Sequence, residues 1–273
     1  LKEYEPHVYG LRGLYVPQTG IINYRQVSEK LAKLFQQVDG QLVLGEQVID
    51  ILVSTDSVQA ITQKSTYSAK LLINCAGLYS DKIASLTTKQ MNVKIIPFRG
   101  EYFKLKKEKE HLVKNLIYPV PDPNFPFLGV HFTRMVGGGV EAGPNAVLAF
   151  SREGYKKSDI KLGELAESLA WPGFQKVAWK YWKTGFGEMY RSFSKNAFTQ
   201  ALQKLIPEIK EGDLVPGGAG VRAQACNRNG GLVDDFLILE EHRVINVCNA
   251  PSPAATSSLS IGDNIASLAL NRF

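Results

Sequence analysis

One histidine in a strand-like segment has the chemistry and the setting for proton transfer. His131 lies in the run Val130–Arg134, where alternation places His131 and Thr133 on one face of a strand and Phe132 on the other. An imidazole with an ordinary pKa of about 6.5 can act as a general base near neutrality. Taken alone, these residues predict either a general base or a hydrogen-bonded structural histidine.

Two arginines stand in apolar, glycine-flanked strand segments. Arg99 lies in Pro97–Tyr102, and Arg222 lies in Gly220–Gln224. A buried guanidinium needs an anion beside it, and its planar fork binds carboxylates through paired hydrogen bonds. Each arginine is therefore predicted either to bind a substrate carboxylate or to form an internal salt bridge.

Small residues occur at two junctions between a predicted strand and a predicted helix. These junctions are Ile73–Asp81 and Asn249–Ser258. Small side chains let the backbone approach a nucleotide or flavin, and a helix N-terminus attracts an anion. A plain tight turn and an ordinary capped helix are the alternative interpretations.

Two glycine-rich stretches have the wrong context for a phosphate loop. A strand pattern, not a helix, follows Gly217–Gly220, so this stretch is no dinucleotide-binding fingerprint. Gly137–Gly139 lies between two strand-like segments and is typical of a hairpin turn. We expect no phosphate site at either stretch.

Composition excludes several classes of protein. The chain has 273 residues, 44% of them hydrophobic and 21% charged, which is typical of a globular protein. The net charge of +6 is mild, and the basic residues form no stripe interleaved with aromatics, so no nucleic acid is expected as a partner. Cys75, Cys226 and Cys248 form no CxxC pair, and no histidines have ligand spacing, so neither a disulfide framework nor a metal site is predicted.

No apolar run reaches the roughly 20 residues of a membrane-spanning helix. The cysteine usage favours a reducing compartment, and we expect a cytoplasmic protein, with peripheral attachment to the inner membrane left open.

Hydrophobic periodicity predicts alternating sheet and helix. A helix capped at Asn23 is predicted to end at Asp39-Gly40, and the region from Ser158 to Ile209 is predicted to be helical, with breaks at Pro172-Gly173 and Gly185–Gly187. A short helix over Asp81–Leu86 and a last helix ending near Leu270 complete the predicted helices. The predicted strands are Val48–Val53, Val58–Thr62, Ala69–Cys75, Ile95–Leu105, Leu116–Val120, Leu128–Arg134, Gly220–Ala225, Phe236–Leu239 and Val244–Cys248. Leu71–Asn74 is apolar enough to predict a strand covered on both faces.

Several segments together resemble one family in the same order. That family is the L-2-hydroxyglutarate oxidase/dehydrogenase group of FAD-dependent oxidoreductases, in the D-amino-acid-oxidase-like superfamily. The segments are Tyr15–Gly20, Asn74–Asp81, Pro97–Tyr102, Phe125–Arg134, Gly143–Phe150, Gly220–Gln224 and Asn249–Gly262.

The resemblance implies an α/β (α+β) fold with two interleaved parts. A partial Rossmann-like FAD domain covers residues 23–90 and 214–273, and an antiparallel-sheet substrate domain covered by helices takes 1–22 and 91–213. Members open with a strand and GxGxxG, which this chain lacks; we expect residues upstream of Leu1 and weak FAD binding by this polypeptide alone. We also expect exposed apolar surface near Leu71–Cys75 to favour self-association.

The resemblance also implies roles for individual residues. His131 is implied as the base, and the residues implied for the substrate are Arg222, Arg99, Tyr102 and Thr133. The residues implied for FAD are Val48, Ala76, Gly77, Pro251, Ser252, Pro253, Ala254, Ala255 and Thr256. The implied reaction transfers the C2 hydrogen of a small dicarboxylate, L-2-hydroxyglutarate, to the flavin and yields 2-oxoglutarate.

Two other functions stay open at this point. The same fold and flavin could oxidise a small amine or amino acid, and a second cationic group for a distal carboxylate would separate this from the hydroxy-acid reaction. The chain could also be a non-catalytic truncated binding module.

Overall fold

The computed structural model of the protein describes residues 1–121, 129–250 and 254–273. They form two compact units, each built from three segments. The first unit is Leu1–Asn23, Pro97–Leu162 and Ala178–Arg222, and the second unit is Tyr24–Ile96, Gly163–Val177 and Ala223–Phe273. Residues 163–177 thus belong to the second unit, whereas the domain division inferred from sequence assigns them to the substrate-binding part.

Groups of consecutive strands and groups of consecutive helices follow one another along the described chain. The helices are α1 (Tyr24–Gln37), α2 (Ser80–Ala84), α3 (Leu162–Leu169), α4 (Pro172–Lys180), α5 (Trp182–Phe193), α6 (Lys195–Gln203) and α7 (Ser258–Leu270). The strands are β1 (Val48–Val53), β2 (Val58–Thr62), β3 (Thr66–Ala69), β4 (Leu72–Asn74), β5 (Val93–Leu105), β6 (His131–Arg134), β7 (Val140–Gly143), β8 (Val147–Leu148), β9 (Leu214–Asn227), β10 (Leu237–Glu241) and β11 (Val244–Asn249).

The first unit is organised around an antiparallel sheet with the strand order β6-β7-β5-β8, and β9 also pairs with β5. The turn between β6 and β7 contains Gly138 and Gly139, both with φ near +90°. Glycine adopts this left-handed backbone without a steric penalty. The predicted hairpin at Gly137–Gly139 is confirmed.

One face of this sheet forms the core of the first unit. Phe132, Val140 and Ala142 are fully buried and pack in one cluster with Phe198 and Leu202 of α6. The rings of Phe103 and Phe198 meet edge to face, with centroids 4.8 Å apart. Of the predicted helical layer, α6 therefore covers this sheet and fixes which side of each strand is buried, whereas residues 163–177 belong to the second unit.

The second unit contains a parallel pair of strands between two apolar layers. β11 pairs in parallel with β4 and antiparallel with β10, and every residue of β11 is buried. Ile245 and Val247 pack with Ile265 of α7, and Val244 packs with Ile51 of the separate β1-β2-β3 sheet. Coverage on both faces explains the apolar composition of β11.

Several predicted elements are confirmed with their bounds or close to them, including the helix after Asn23, the first two strands and the last helix. The predicted strand Ala69–Cys75 is wrong, because the chain changes sheets at Lys70-Leu71: β3 pairs with β2, and β4 pairs with β11. The strand covered on both faces is β11, since Ile73 of β4 is 41% exposed.

Two further predictions are wrong for local reasons. Leu116–Val120 forms no strand; its pairing is the isolated bridge between Ile117 and Phe132. Gly185–Gly187 does not interrupt α5, in which the rings of Trp182 and Phe186 meet across one turn with centroids 6.3 Å apart. Leu128, the predicted start of the next strand, lies outside the described residues.

Replacing Phe132 by alanine tests the core of the first unit. Because the ring is fully buried against α6, we expect Phe132→Ala to lower the free energy of unfolding by about 3–5 kcal/mol. The exposed Phe186→Ala is the matched control and should change it by less than about 0.5 kcal/mol. Denaturant unfolding measures both, and equal losses would contradict this placement of the core.

Candidate functional site

Polar residues gather on the face of the first unit's sheet that lies opposite its core. Phe132 enters the core, so its neighbours His131 and Thr133 point to the other side of β6. Across the ladder, His131 pairs with Gly143 and Thr133 pairs with Glu141. Two parallel rows of side chains therefore cross this face.

One of these rows contains Gly143, which has no side chain. Glu141 pairs with Lys104 of β5, which brings Tyr102, two residues earlier, beside Gly143. A Cβ atom built on Gly143, whose φ is +144°, would lie 3.1 Å from Cδ1 of Tyr102 and 2.7 Å from the carbonyl oxygen of Glu101. Gly143 is buried, and its lack of a side chain lets Tyr102 pack closely against the main chain of β7.

The surroundings of His131 favour a neutral imidazole with one available nitrogen. Its Nδ1 lies 3.0 Å from the carbonyl oxygen of Gly129, and its ring stacks on Tyr118 with centroids 4.1 Å apart. The carbonyl can only accept, so Nδ1 carries the proton and Nε2 is left as an acceptor. Burial lowers the pKa of His131 below its ordinary 6.5, and the Gly129 bond opposes this in part. The geometry suits a general base.

Tyr102 and Arg222 lie on paired strands of the same sheet, and each shifts the pKa of the other. Burial and the charge of Glu141 raise the pKa of Tyr102, and the charge of Arg222 lowers it. Partial desolvation of the Arg222 guanidinium lowers its pKa, while Tyr102 raises it. The structure thus brings Tyr102, Arg222 and Glu141 into one electrostatic cluster, with Arg222 still exposed to solvent.

Arg99 is in a different environment, because its guanidinium is buried in an internal network. It is 2% exposed and forms an ion pair with Glu101, whose Oε1 lies 2.9 Å from Nη2. Nη1 also points to the carbonyl oxygens of Gly154 and Lys156, at 3.4 and 3.3 Å. Of the two interpretations of Arg99, the geometry is that of the internal salt bridge.

The same carboxylate orders the loop that precedes β8. Asn145 donates from Nδ2 to Oε2 of Glu101 at 2.9 Å, and its Oδ1 accepts the Glu101 N–H at 2.8 Å. The carboxylate of Glu188 in α5 accepts the N–H of Ala146 at 3.2 Å. This network fixes the segment after Gly143.

In the second unit, a buried amide pair fixes the turn after β4. Asn74 donates from Nδ2 to Oδ1 of Asn246 in β11 and to the carbonyl oxygen of Ser80, both at 2.9 Å. Its own Oδ1 accepts the N–H of Ala76 at 3.1 Å. Asn74 therefore connects the two parallel strands to the turn that follows one of them.

The residues of this turn fit contact with a nucleotide cofactor. Cys75, Ala76 and Gly77 are exposed at the carboxyl end of β4, the end at which ligands bind to parallel sheets. Gly77 has φ +54°, and a Cβ atom built there meets no heavy atom within 4 Å. Ala76 and Gly77, which the resemblance implies for FAD, thus lie in an exposed turn at the end of a parallel strand.

Of the other residues expected at FAD, the structure describes Val48 and residues 254–256. Val48 is half-buried in β1, where its side chain packs against the cluster of Ile51 and Val58. Ala254 is half-buried, and Ala255 and Thr256 are exposed, ahead of α7. Pro251, Ser252 and Pro253 lie outside the described residues.

Sequence reasoning missed Tyr118, Glu141 and Glu101. Glu141 had a usable signal, because alternation after the Gly137–Gly139 turn places it on the face of Thr133. Tyr118 and Glu101 had none, since their contacts depend on how distant segments meet.

Metal and membrane features are absent from the described part of the chain. No group of three or more His, Cys, Asp or Glu side chains there could hold a metal ion, and the three cysteines are free. None of the helices in the ranges described has the length and apolar character for a membrane span.

Comparison with known proteins adds the family. Residues 1–268 match the family described as FAD dependent oxidoreductase, DAO. The chain belongs to the FAD-dependent oxidoreductase family. It is 65% identical over its whole length to an L-2-hydroxyglutarate dehydrogenase of Indibacter alkaliphilus and 44% identical over 98% of its length to one of Escherichia coli K12. The chain spans 69% and 64% of these two relatives.

Two solved structures share the fold. A glycine oxidase from Geobacillus kaustophilus matches the whole chain and 61% of its own with a TM-score of 0.66 at 14% identity. An FAD-bound L-alpha-glycerophosphate oxidase from Mycoplasma pneumoniae matches 86% of the chain and 52% of its own with a TM-score of 0.61 at 20% identity. The predicted α/β class and the FAD cofactor of the family are confirmed.

The different environments of Arg99 and Arg222 predict different losses of folding stability when each is replaced by methionine. Arg99→Met removes the nearer cation of buried Glu101 and leaves Lys157, whose Nζ lies 3.8 Å from Oε1, so it should lower the free energy of unfolding by about 2–3 kcal/mol. The exposed Arg222→Met should lower it by less than about 1 kcal/mol. Urea unfolding of this chain measures both, and an Arg99 variant as stable as the parent would contradict the internal role of Arg99.

Proposed function

We propose that the chain is part of an FAD-dependent enzyme that oxidises L-2-hydroxyglutarate to 2-oxoglutarate. The observation that carries this proposal is 65% identity, over the whole chain, to a protein named L-2-hydroxyglutarate dehydrogenase. The polar face supports it: His131 has an acceptor nitrogen, and the charge of Arg222 acts on Tyr102, which lies beside Gly143 across from His131.

His131 removes the hydroxyl proton of the substrate. Nε2 accepts this proton because Nδ1 is held by the Gly129 carbonyl oxygen. Burial keeps the ring neutral near pH 7, since it lowers the pKa of His131. The electron pair of the broken O–H bond forms the C2–O double bond as the C2 hydrogen leaves with its two electrons.

Arg222 binds a substrate carboxylate, and Tyr102 and Thr133 line the same surface. The Arg222 residue is exposed, although part of its guanidinium is shielded from water. A guanidinium in this position can bind a carboxylate through two parallel hydrogen bonds. FAD, when bound, supplies the acceptor for the hydride. The residues of this chain that would hold it are Ala76 and Gly77 of the exposed turn, the main chain at Val48, and the 251–256 segment.

The alternative of a small amine or amino acid as substrate gains no support from the glycine oxidase. At 14% identity, that likeness shows the fold alone. Assays of the full-length protein with L-2-hydroxyglutarate, its D-enantiomer and glycine decide between the substrates. Turnover of the L-hydroxy acid supports the proposal, and turnover of glycine alone contradicts it.

Replacing His131 tests its role as the base. In the full-length protein, His131→Gln should lower kcat for L-2-hydroxyglutarate by about 10²–10⁴-fold while FAD content stays at the parental level. The control is His242→Gln, which changes an exposed histidine in the second unit and should keep parental kcat. Near-parental turnover of the His131 variant would assign this histidine a structural role.

Replacing Arg222 tests carboxylate binding. Arg222→Lys keeps the charge and loses the planar fork, so KM should rise at least about tenfold. Arg222→Met should raise KM further and also lower kcat, because the substrate is no longer oriented. The exposed Arg12→Lys is the control for surface charge. An unchanged KM in the Arg222→Lys enzyme would exclude this contact.

A further inference from the structure

The stack of Tyr118 on His131 has no part in the core of the first unit. Tyr118 is 49% exposed, and it follows Ile117, whose bridge to Phe132 aligns the two segments. The two rings are nearly parallel, with an interplanar angle of 21°. Tyr118 therefore covers one face of an imidazole that is itself only 9% exposed.

Two contacts together define the orientation of the imidazole. The ring turns only about its Cβ–Cγ bond, and the hydrogen bond from Nδ1 to the Gly129 carbonyl oxygen holds one setting of that rotation. The stacked Tyr118 ring restricts that rotation. Nε2, on the far side of the ring, then has one direction in which to accept a proton.

We propose that Tyr118 is a positioning residue for His131: its stacked ring keeps the imidazole in the orientation in which Nδ1–H bonds the Gly129 carbonyl oxygen, so that Nε2 is directed at the substrate hydroxyl. This inference rests on the proposed function only for the identity of the proton that Nε2 accepts. Tautomer and ring orientation are properties of this chain and are measurable without substrate or cofactor.

The other polar groups near His131 cannot replace this contact. Thr133 follows on the same strand face, Glu141 lies opposite Thr133 on β7, and Tyr102 lies on β5 beyond Gly143. Gly143, directly opposite His131, has no side chain to restrict the imidazole. Among these neighbours, Tyr118 is the ring stacked on the imidazole.

Histidine NMR of this chain is the first test. The sequence has 4 histidines, so ¹⁵N-histidine spectra resolve each ring, and the His131→Gln variant assigns the His131 signals. At about pH 8, where the ring is neutral, the parent should show His131 as the Nδ1–H tautomer. Tyr118→Ala should give a mixture of tautomers, whereas Tyr118→Phe, which keeps the stacked ring, should give the parental spectrum.

Turnover of the full-length protein is the second test. Tyr118→Ala should lower kcat by about 10–100-fold with KM within about threefold, because the base is misdirected while carboxylate binding remains. Tyr118→Phe should restore kcat to within about threefold of the parent. Tyr155→Ala, a tyrosine with the same 49% exposure, is the matched control and should leave both constants unchanged.

The outcomes separate this inference from the proposed function. An unchanged His131 tautomer in Tyr118→Ala, or a Tyr118→Phe enzyme as slow as Tyr118→Ala, overturns the positioning role. Full turnover by His131→Gln overturns instead the role of His131 as base. In that case the NMR result still decides whether Tyr118 orients the ring.

Discussion

Burial of Phe132 is the constraint on which the candidate site depends. A strand places successive side chains on opposite faces, so a fully buried Phe132 forces His131 and Thr133 to the side away from α6. Strand pairing extends this arrangement to β7. Ala142 pairs with Phe132 on the core side, while Gly143 and Glu141 pair with His131 and Thr133 on the other side. The packing that stabilises the first unit also assembles the polar face.

The charged groups of the first unit lie in two different environments. Glu101, Arg99 and Asn145 form a buried network that orders the segment after Gly143. Arg222 and Glu141 stay nearer to solvent, where their charges act on Tyr102. A buried guanidinium is closed off from solvent, whereas an exposed guanidinium is accessible to a small anion.

Sequence predicted the elements whose signals are local. The helix that ends before Asp39, which has φ +61°, and the hairpin at Gly138 and Gly139 depend on residues within one turn. The break expected at Gly185–Gly187 is not present, because a glycine costs a helix interior only about 1 kcal/mol and α5 continues through both glycines.

The site itself was predicted in part. Alternation placed His131 and Thr133 on one face, the apolar strand setting singled out Arg222, and the family resemblance added Tyr102. Periodicity could not reveal that Tyr118 stacks on His131 or that Glu101 pairs with Arg99, because these contacts depend on tertiary structure.

The pH dependence of kcat/KM for L-2-hydroxyglutarate in the full-length protein tests the central claim most directly. A base whose pKa is lowered by burial predicts an acid limb with its midpoint below about 6.5, where protonation of His131 abolishes activity. The residual activity of His131→Gln should lack this limb. The same limb, unshifted, in His131→Gln would show that another group takes the proton and would contradict the account.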